Sequence, residues 1–418
     1  MDYCVKRMDL AKEGNAILER TILKMPVLDI IGLRFQNYRT FDGVRIALCK
    51  HITAETACFA LALKNGGADI YMTASNPRST QDAVAAALVK YHGVHVFANS
   101  NETPEEYRAY MDRVIQSGPD IILDDGASIL PVVYDRYPEL AKNLIGTTEQ
   151  TTEGVAKVEQ MDRAGKLLHP TIAANSSRSK HMYDNRYGVG QSFIDAYMRV
   201  METLICGQTV VVCGYGFCGK GIAERAKGMG ANVIVTEVDP FKAMDAVMSG
   251  YRVMTLEEAM AFGDVYVTVT GNTRIIGYPM MERMKSGAIV VNSGSGVTEI
   301  DMVSLKEKAV EVRHIKEHLD EYVLANGKHI QVIADGRVAN LVCAGGNPAD
   351  VMDMSFAVVA YGVEYLLKNR GKLENHVLRI PLELDEQIVR LKLGAMGIRF
   401  DKQTEEQKNY SKRFEMHG

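Results

Sequence analysis

The sequence lacks several features that would define other classes of protein. No apolar run approaches the length needed to cross a membrane, so we expect no transmembrane segment. The N-terminus, Met-Asp-Tyr-Cys-Val-Lys, lacks the apolar core of a secretory signal. The 7 cysteines are scattered, without a C-x-x-C pair or a Cys/His cluster at metal-ligand spacing. We therefore expect reduced thiols, a cytoplasmic location and no metal.

The charge balance also excludes a class of partner. The formal net charge is −4, which gives no reason to expect a surface for nucleic acid. A chain of 418 residues with 47% hydrophobic and 24% charged residues has the composition of a soluble globular protein with two domains or more.

A glycine-rich turn after a short apolar run is the most informative stretch. Val210 to Cys213 reads as a buried strand, and Gly214, Gly216 and Gly219 then form G-x-G-x-x-G before a helical run. In dinucleotide-binding folds the first glycine permits a sharp turn and the second lets the backbone approach a pyrophosphate. The third lets helix and strand pack closely. A glycine-rich turn in an ordinary α/β protein is the alternative.

A second strand and an acid complete this pattern. Asn232 to Thr236 is a predicted strand that ends at Glu237. A carboxylate there can accept hydrogen bonds from a ribose 2′-hydroxyl and would repel a 2′-phosphate. The order of strand, glycines, helix, strand and acid therefore predicts NAD rather than NADP as cofactor.

Upstream, predicted strands alternate with predicted helices, which indicates a parallel sheet covered by helices. The predicted strands are Leu33 to Tyr38, Arg45 to Lys50, Ala68 to Thr73, Val94 to Ala98 and Asp120 to Leu123. The predicted helices are Thr53 to Lys64, Thr80 to Tyr91 and one capped by Thr103 that runs to Gln116. Ligands of such sheets bind at the carboxyl ends of strands. The polar candidates there are His51, Thr53, Glu55, Asn76, Thr80, Asp124 and Asp125.

Downstream, the pattern continues the cofactor unit and then leaves it. A helix from about Val189 leads into the glycine turn, strands follow at Val265 to Thr270 and Ala288 to Asn292, and a hairpin is predicted at Glu321 to Ile333. A low-charge helix, Val351 to Leu367, should be a core helix that returns to the first domain.

We therefore predict an α/β fold with two doubly wound parallel-sheet domains, one of them a Rossmann NAD-binding domain inserted in the substrate domain. The predicted boundaries are 1–188 for the first part of the substrate domain, 189–346 for the NAD domain, 347–395 for the return and 396–418 for a C-terminal tail.

Two such domains, with polar groups converging on one cleft, describe a nicotinamide enzyme. A lysine whose pKa is lowered by burial can take the proton of a hydroxyl as its carbon is oxidised. Lys180 is the candidate, because Asp184 shares its face of a helix at i, i+4 spacing. Asp125 and His51 could move further protons. The alternatives are a surface ion pair for Lys180, a satisfied strand-end histidine for His51, and helix capping for Asp124, Asp125 and Thr53.

At these residues the sequence resembles the S-adenosyl-L-homocysteine hydrolases, over roughly residues 40 to 400. The matching segments are His51-Ile-Thr-Ala-Glu-Thr56, Asn76-Pro-Arg-Ser-Thr-Gln-Asp82, Leu123-Asp-Asp-Gly126, Lys180 to Gly188 and Gly214-Tyr-Gly-x-x-Gly-Lys-Gly221. The resemblance implies a bound NAD⁺, a nucleoside substrate and a homotetramer. The implied reaction oxidises the 3′-hydroxyl, removes the 4′-proton, eliminates the 5′-thiol, adds water and reduces the ketone again.

The resemblance also implies a role for each matched residue. Lys180, Asp184 and Asn185 serve the 3′-oxidation, Asp125 the 4′-proton and His51 the 5′ position as acid and base, while Thr53 and Glu55 contact the base of the nucleoside. The other implied substrate contacts are Gln150, Asn340, Asn347 and Met352. The implied cofactor contacts are Thr151, Thr152, Gly214, Gly216, Phe217, Cys218, Gly219, Glu237, Thr270, Asn292 and Asn340.

The sequence departs from the family pattern around the 5′ substituent, the substrate channel and the base. Gln150 replaces a glutamate, and Ser295-Gly296 replaces a His-Phe pair that gates the channel. Asn347 replaces a histidine, and Gly345 replaces the methionine that stands two positions before that histidine. The tail Tyr410-Ser-Lys-Arg-Phe414 has no clear counterpart of the Lys and Tyr that reach a neighbour's NAD site. These changes leave open the same chemistry on another 5′-substituted nucleoside or base, a dehydrogenase that releases its ketone, and a silent NAD-binding regulatory protein.

Overall fold

The structure is a computed structural model that describes residues 2–294 and 298–410. Two β-sheets organise the chain. The first sheet contains β1 (Arg45–Lys50), β2 (Asp69–Ala74), β3 (His95–Phe97), β4 (Ile121–Asp124), β5 (Gly146–Glu149) and β6 (Thr171–Ala173). These strands pair in parallel in the order β3-β2-β1-β4-β5-β6, and a short strand, Val377–Leu378, adds to β6 from the far end of the chain.

The second sheet repeats this order. It contains β7 (Thr209–Cys213), β8 (Asn232–Thr236), β9 (Arg252–Val253), β10 (Val265–Thr268), β11 (Ala288–Asn292), β12 (Glu311–Lys316), β13 (Leu319–Val323) and β14 (His329–Ile333). Six strands are parallel in the order β9-β8-β7-β10-β11-β14, and β13 and β12 extend that edge in antiparallel fashion. This order, 3-2-1-4-5-6, is that of dinucleotide-binding folds.

Helices connect the strands and cover the sheets. They are α1 (Ala11–Ile22), α2 (Pro26–Tyr38), α3 (Ala54–Asn65), α4 (Asp82–His92), α5 (Pro104–Gln116), α6 (Leu130–Arg136), α7 (Pro138–Asn143), α8 (Thr152–Arg163), α9 (Val189–Met201), α10 (Phe217–Gly228), α11 (Pro240–Met248), α12 (Leu256–Ala259), α13 (Tyr278–Met281), α14 (Met302–Lys308), α15 (Ala339–Val342), α16 (Ala349–Lys368), α17 (Leu382–Ala395) and α18 (Glu405–Tyr410). A π-helical segment, Lys180–Gly188, precedes α9.

Both faces of each sheet are buried, as a doubly wound fold requires. In β1, Ile46 and Leu48 pack with α1 to α4 and α16, whereas Ala47 and Cys49 pack with α5 to α7 on the opposite face. In β7 the same alternation divides its valines between two further cores. The predicted fold class is therefore confirmed. The 7 cysteines are all free thiols.

Most predicted elements are confirmed near their predicted bounds, and local chemistry explains several of their ends. Thr103 and Glu106 form a capping box at α5, which has Pro104 in its first turn. The predicted hairpin is β13–β14. The predicted core helix is α16, which is buried along most of its length. No helix in the described ranges is long and apolar enough to span a bilayer.

The predicted strand at Leu33 to Tyr38 is wrong, because these residues form the second half of α2. Pro26 occupies the first turn, where its missing N–H costs no hydrogen bond. The buried residues Leu28, Ile31 and Phe35 then recur at spacings of three and four. This period belongs to a helix that buries one face, and it begins before the segment that was predicted as a strand.

The chain passes from one sheet to the other through a glycine-rich contact. A Cβ atom added at Gly221 in α10 would lie 1.7 Å from the carbonyl oxygen of Arg186, and one at Gly190 in α9 would lie 2.6 Å from that of Gly221. Backbone therefore packs directly on backbone where the π-helical segment and α9 cross α10. The division into domains remains a prediction, with residues 1–188 and 347–395 as one domain, 189–346 as a second and 396–418 as a tail. The first sheet is interrupted by the second along the chain, as this division requires.

We predict that Gly221→Ala strongly destabilises the protein, because the added methyl group would overlap backbone that cannot rotate away. Overpacking of a dense interior typically costs about 1–3 kcal/mol. The matched control is Gly228→Ala in the same helix, where an added Cβ meets no atom within 4 Å. That change should be neutral or stabilise the helix by up to about 1 kcal/mol. Urea denaturation of both variants checks this, and equal stabilities would contradict the packing argument.

Candidate functional site

One cavity of about 980 Å³ lies where the carboxyl ends of strands from both sheets meet. The first sheet contributes residues that follow β1, β4 and β5, and the second contributes residues that follow β7, β8 and β10. In each sheet the strand order reverses between the first and fourth strands, and ligands bind in the crevice at such a point. The cavity thus joins the two crevices.

Most of the predicted site residues line this cavity. They are His51, Thr53, Glu55, Asp125, Gln150, Thr151, Thr152, Lys180, Asp184, Asn185, Gly214, Gly216, Phe217, Cys218, Glu237, Thr270, Asn340, Asn347 and Met352. Gly219 and Asn292 do not line it. A Cβ at Gly219 would lie 1.9 Å from the Gly214 oxygen, and Asn292 is fully buried with its amide on the Gly336 carbonyl. Both lie beneath the cavity wall, and their assignment to the cofactor stays a prediction.

The glycine turn has the shape of a pyrophosphate cradle. Gly214 has a φ of 106°, which other residues rarely adopt, and a Cβ at Gly216 would meet no atom within 4 Å, so open space lies above the backbone there. Glu237 at the end of β8 accepts hydrogen bonds from the backbone N–H groups of Tyr215, Val238 and Asp239. These bonds hold the carboxylate beside the turn, on the cavity wall.

An unpartnered amide oxygen marks another polar position on the wall. The Oδ1 atom of Asn340 is buried without a hydrogen-bond partner, while its Nδ2 donates to Ser192 Oγ. A buried acceptor of this kind costs free energy unless a ligand donates to it. The carboxamide of a nicotinamide offers such a donor. The open cradle, the acid at the strand end and this acceptor together fit NAD.

Lys180 is the centre of a buried polar cluster. Its Nζ atom lies 2.9 Å from Asp184 Oδ2 and donates to Asn185 Oδ1 at 2.7 Å, and its side chain is only 10% exposed. The surface ion pair considered from the sequence is therefore wrong. The π-helical turn brings the i+5 residue Asn185 to the same side as Asp184, and such turns are frequent at functional sites.

Asp184 receives donors from a second part of the chain. Asn347 donates its Nδ2 to Oδ1 at 2.6 Å, and Ser355 of α16 donates its hydroxyl to Oδ2 at 2.5 Å. The Oδ1 atom of Asn347 in turn accepts from Ser192 at 2.8 Å. The Asn347 side chain, which stands at the position of the family's histidine, is thus engaged by protein groups on both its oxygen and its nitrogen.

His51 follows β1, and its ring is oriented by Ser79. Nδ1 lies 2.7 Å from Ser79 Oγ, which itself lies 2.7 Å from the carbonyl oxygen of Asn76. Since the carbonyl can only accept, Ser79 donates to it and accepts from His51, so Nδ1 carries the proton and Nε2 is the free acceptor. Burial lowers the pKa of His51, which favours the neutral ring.

Asp125 and Gln150 share a partner that the sequence analysis missed. Lys50, the last residue of β1, has a fully buried side chain whose Nζ donates to Asp125 Oδ1 at 2.7 Å and to Gln150 Oε1 at 2.9 Å. Its signal in the sequence is a charge that directly follows four apolar, buried strand residues, Ile46 to Cys49. Because an ammonium only donates, the Gln150 oxygen must face Lys50, and its NH₂ group is the end left for a ligand.

Two neighbouring acids have structural roles. Asp124 accepts from the N–H groups of Ile129 and Leu130 at the start of α6, so the capping alternative holds for Asp124. Glu149 accepts from Gly126 and Ala127 and so holds the loop after β4. Burial raises the pKa of Asp124 to about 6 and, with help from the nearby carboxylates, that of Glu149 to about 8.

The end of the cavity near α3 contains the residues predicted to contact the base. Thr53 is the N-cap of α3, as the alternative proposed, and it also lines the cavity. Burial raises the pKa of Glu55 in the first turn. Met352 and Phe356 of α16 add apolar side chains to the lining of the cavity.

Two of the departures from the family pattern lie in residues that the structure does not describe. Ser295 and Gly296 lie in the gap between 294 and 298, and the tail segment lies outside from residue 411 onward. Within the described ranges, no group of three His, Cys, Asp or Glu side chains is arranged to hold a metal ion.

Comparison with known proteins identifies the family. Residues 2–135 match the family model "S-adenosyl-L-homocysteine hydrolase", and residues 185–346 match its "NAD binding domain". The chain is 49% identical over 416 residues to the adenosylhomocysteinase of Aquifex aeolicus, covering 100% of both chains. It is 46% identical to those of Sulfolobus acidocaldarius, covering 99% of both, and Saccharolobus solfataricus, covering 98% of both. The chain therefore belongs to the S-adenosyl-L-homocysteine hydrolase family, whose NAD-binding domain it contains.

Proposed function

We propose that this protein is an NAD-dependent hydrolase that cleaves the thioether of S-adenosyl-L-homocysteine, or a close analogue, into nucleoside and thiol. The observation that carries the proposal is the single cavity that brings Lys180, Asp125 and His51 together with the glycine turn of the second sheet. Relatives with 46–49% identity over nearly the whole chain are named adenosylhomocysteinase, which supports this substrate.

The cofactor would be held by the second sheet and by part of the first. Gly214 and Gly216 leave room for its pyrophosphate, Glu237 accepts from a ribose hydroxyl, and Asn340 accepts from the carboxamide. The remaining proposed contacts are Thr151, Thr152, Phe217, Cys218, Gly219, Thr270 and Asn292. When bound, NAD⁺ supplies a reversible hydride acceptor for the 3′-carbon of the nucleoside.

Lys180 would take the proton of the 3′-hydroxyl as that carbon is oxidised. Two of its three N–H directions are occupied by Asp184 and Asn185, which leaves one toward the cavity that it lines. Asp184 is fixed by Asn347 and Ser355, so the position of the amine is fixed as well. General acid–base help of this kind contributes typically about 10²–10⁴-fold to a rate.

Asp125 and His51 would then act at the 4′ and 5′ positions. A 3′-ketone acidifies the adjacent 4′ C–H, so a carboxylate such as Asp125 can remove that proton and the electron pair expels the 5′ thiolate. His51 Nε2 would take a proton from the water that adds to the 5′-carbon. The lowered pKa of His51 keeps Nε2 available as a base, and a thiolate needs little acid assistance to leave. Asp125 would then return the proton to the 4′-carbon, and a bound cofactor that accepts hydride reversibly would leave no net oxidation.

Among the three alternatives to this function, the residues of the site favour the same chemistry on another nucleoside over a silent NAD-binding protein or a dehydrogenase. A silent NAD-binding protein has no use for Lys180, Asp184, Asp125 and His51 on one cavity wall. A dehydrogenase that releases its ketone has no use for a base directed at a 5′ position. Gln150 and the engaged side chain of Asn347 do differ from the family pattern near the sugar and base. The same chemistry on a nucleoside with another 5′ substituent or base is therefore the second candidate.

We also propose that the protein assembles as a homo-oligomer, a tetramer by family resemblance, in the cytoplasm. Apolar side chains stand exposed just after the cofactor-binding strand end, with exposures of 99% for Val238, 86% for Phe241 and 73% for Met248. Sedimentation of the purified chain would distinguish a tetramer from a monomer.

The first prediction from the proposed function concerns the substrate. The NAD⁺-loaded protein should convert S-adenosyl-L-homocysteine to adenosine and free thiol. Chromatography measures the adenosine, and a colorimetric assay measures the thiol. Bound NADH absorbance without thiol release would instead favour the second candidate, and a panel of 5′-substituted nucleosides would then be assayed. If no nucleoside produced either signal, the proposed chemistry would be wrong.

The second prediction separates the roles of two residues. His51→Gln should leave bound NADH formation from adenosine within a few-fold, because oxidation occurs at the 3′ position. Net hydrolysis should fall by about 10²–10⁴-fold, the usual value of a positioned base. His92→Gln is the matched control, since His92 bonds Asn15 on a helix that contributes no residue to the cavity. Equal loss of both signals in His51→Gln would count against a role at the 5′ position.

The third prediction concerns the cofactor. Glu237→Gln should weaken NAD⁺ binding by about 10- to 100-fold, the value of a charged hydrogen bond, and should reduce discrimination against NADP⁺. Asp239→Asn is the control, because that carboxylate caps α11 and does not line the cavity. Calorimetric titration of the cofactor-free protein with both dinucleotides measures this, and unchanged selectivity in Glu237→Gln would contradict it.

A further inference from the structure

Lys50 is a buried cation that the proposed chemistry does not use. Its side chain is completely inaccessible and lies behind the cavity wall rather than on it. A buried ammonium costs several kcal/mol unless it is paired and hydrogen-bonded. Its two partners, Asp125 and Gln150, both line the cavity, so the compensation comes from the site itself.

The surroundings of Asp125 explain why a cation is needed there. The titratable groups that face it are Cys49 and His51 next to the end of β1, its neighbour Asp124 in β4 and Glu149 in β5. Burial raises the pKa values of these two carboxyls to about 6 and about 8, and any negative charge that either of them carries repels the charge of Asp125. Neither Cys49 nor neutral His51 supplies a positive charge. Lys50 is the cation in direct contact with Asp125.

We propose that Lys50 is a positioning residue that holds Asp125 as a carboxylate, with Oδ1 turned to the wall and Oδ2 toward the ligand, while it fixes the Gln150 amide with its NH₂ group outward. The inference rests on the proposed function, in which Asp125 takes the 4′-proton. It deepens that function by naming the cation that pairs with this base where two other buried carboxyls lie nearby.

The geometry carries a second consequence for recognition. An amide held with its NH₂ group outward presents hydrogen-bond donors only. The part of the sugar that meets Gln150 must therefore offer an acceptor, such as a hydroxyl or ketone oxygen. Lys50 sets this orientation, because its ammonium group can only donate and therefore holds the oxygen of the Gln150 amide. A reversed amide or an acid at position 150 would present an acceptor to the ligand instead.

The test compares proton removal with oxidation in the NAD⁺-loaded enzyme. Adenosine in deuterated buffer reports 3′-oxidation through bound NADH absorbance and 4′-deprotonation through deuterium uptake. Lys50→Met should keep the NADH signal within a few-fold and lower deuterium uptake at neutral pH by roughly tenfold or more. The acid limb of the uptake profile should move to higher pH by about 1–3 pH units, the usual effect of losing an opposite charge in contact.

Two further variants keep the test decisive. Lys392→Met is the matched control, since Lys392 is a half-buried lysine, 12% exposed and 2.8 Å from the buried Asp353 Oδ2, and it lines no part of the cavity. It should leave both signals and the pH profile unchanged. Lys50→Gln retains a donor to Asp125 but removes the charge. It should shift the acid limb in the same direction even where Lys50→Met folds poorly.

The outcomes for Lys50 and for the proposed function are distinguishable. An unshifted acid limb in folded Lys50→Gln would overturn the inference, because a purely structural lysine would change stability and not the profile. If the unsubstituted protein forms no NADH with any nucleoside, the proposed function fails. Infrared titration of the carboxyl groups, with Asp125→Asn to assign the band, then still decides about Lys50. The Asp125 carboxyl should take up its proton at higher pH in Lys50→Gln than in the unsubstituted protein, and coincident titrations would refute the inference.

Discussion

A single buried carboxylate, that of Asp184, ties together two distant parts of the chain that form the site. Its side chain is only 2% exposed; Lys180 balances its charge, and Asn347 and Ser355 donate hydrogen bonds to it. Lys180 lies where the chain leaves the first sheet, whereas Asn347 and Ser355 lie where it returns after the second sheet. A buried charge that loses one of these partners is strongly destabilising. The crossing between the sheets and the position of the proposed base at the 3′ carbon are therefore set by the same interactions.

The architecture around this crossing explains why the chemistry gathers in one place. Each sheet has the strand order 3-2-1-4-5-6, so each has one crevice between its first and fourth strands. His51 and Asp125 follow β1 and β4 in the first sheet, and Gly214 and Thr270 follow β7 and β10 in the second. Gly221 allows α10 to touch the backbone of the π-helical segment, so the two crevices face one cavity. Neither sheet alone contains both a cradle for a dinucleotide and the acid–base groups.

The sequence predicted much of this because local rules governed those parts. The glycine turn, the acid after β8 and the polar groups after parallel strands follow from strand order and backbone shape. They were therefore visible in composition and spacing. Leu33 to Tyr38 was misjudged because a strand-like stretch was considered without the Pro26 start of its helix.

Other parts of the site could not be predicted, because their meaning comes from distant partners. Ser79 orients His51 across 28 positions, and Lys50 meets Gln150 across 100. The engagement of Asn347 depends on Ser192, which lies 155 positions away. No period or motif within either segment indicates such a pairing, and only the fold brings the partners within hydrogen-bond distance.

The pairing of Lys50 with Gln150 gives one departure from the family pattern, that at position 150, a physical meaning. The sequence resemblance implies a glutamate at position 150 in the family, and a glutamate beside Lys50 would compete with Asp125 for one ammonium. Asp124 and Glu149 already have raised pKa values in this region. A further carboxyl beside them and Asp125 would favour proton uptake by one of the carboxyls. The neutral amide avoids this, because it accepts from Lys50 without adding charge. Lys50 then forms an ion pair with one carboxylate, that of Asp125. In this site the Gln150 amide and the buried Lys50 form a single electrostatic unit, so the departure at position 150 cannot be interpreted without Lys50.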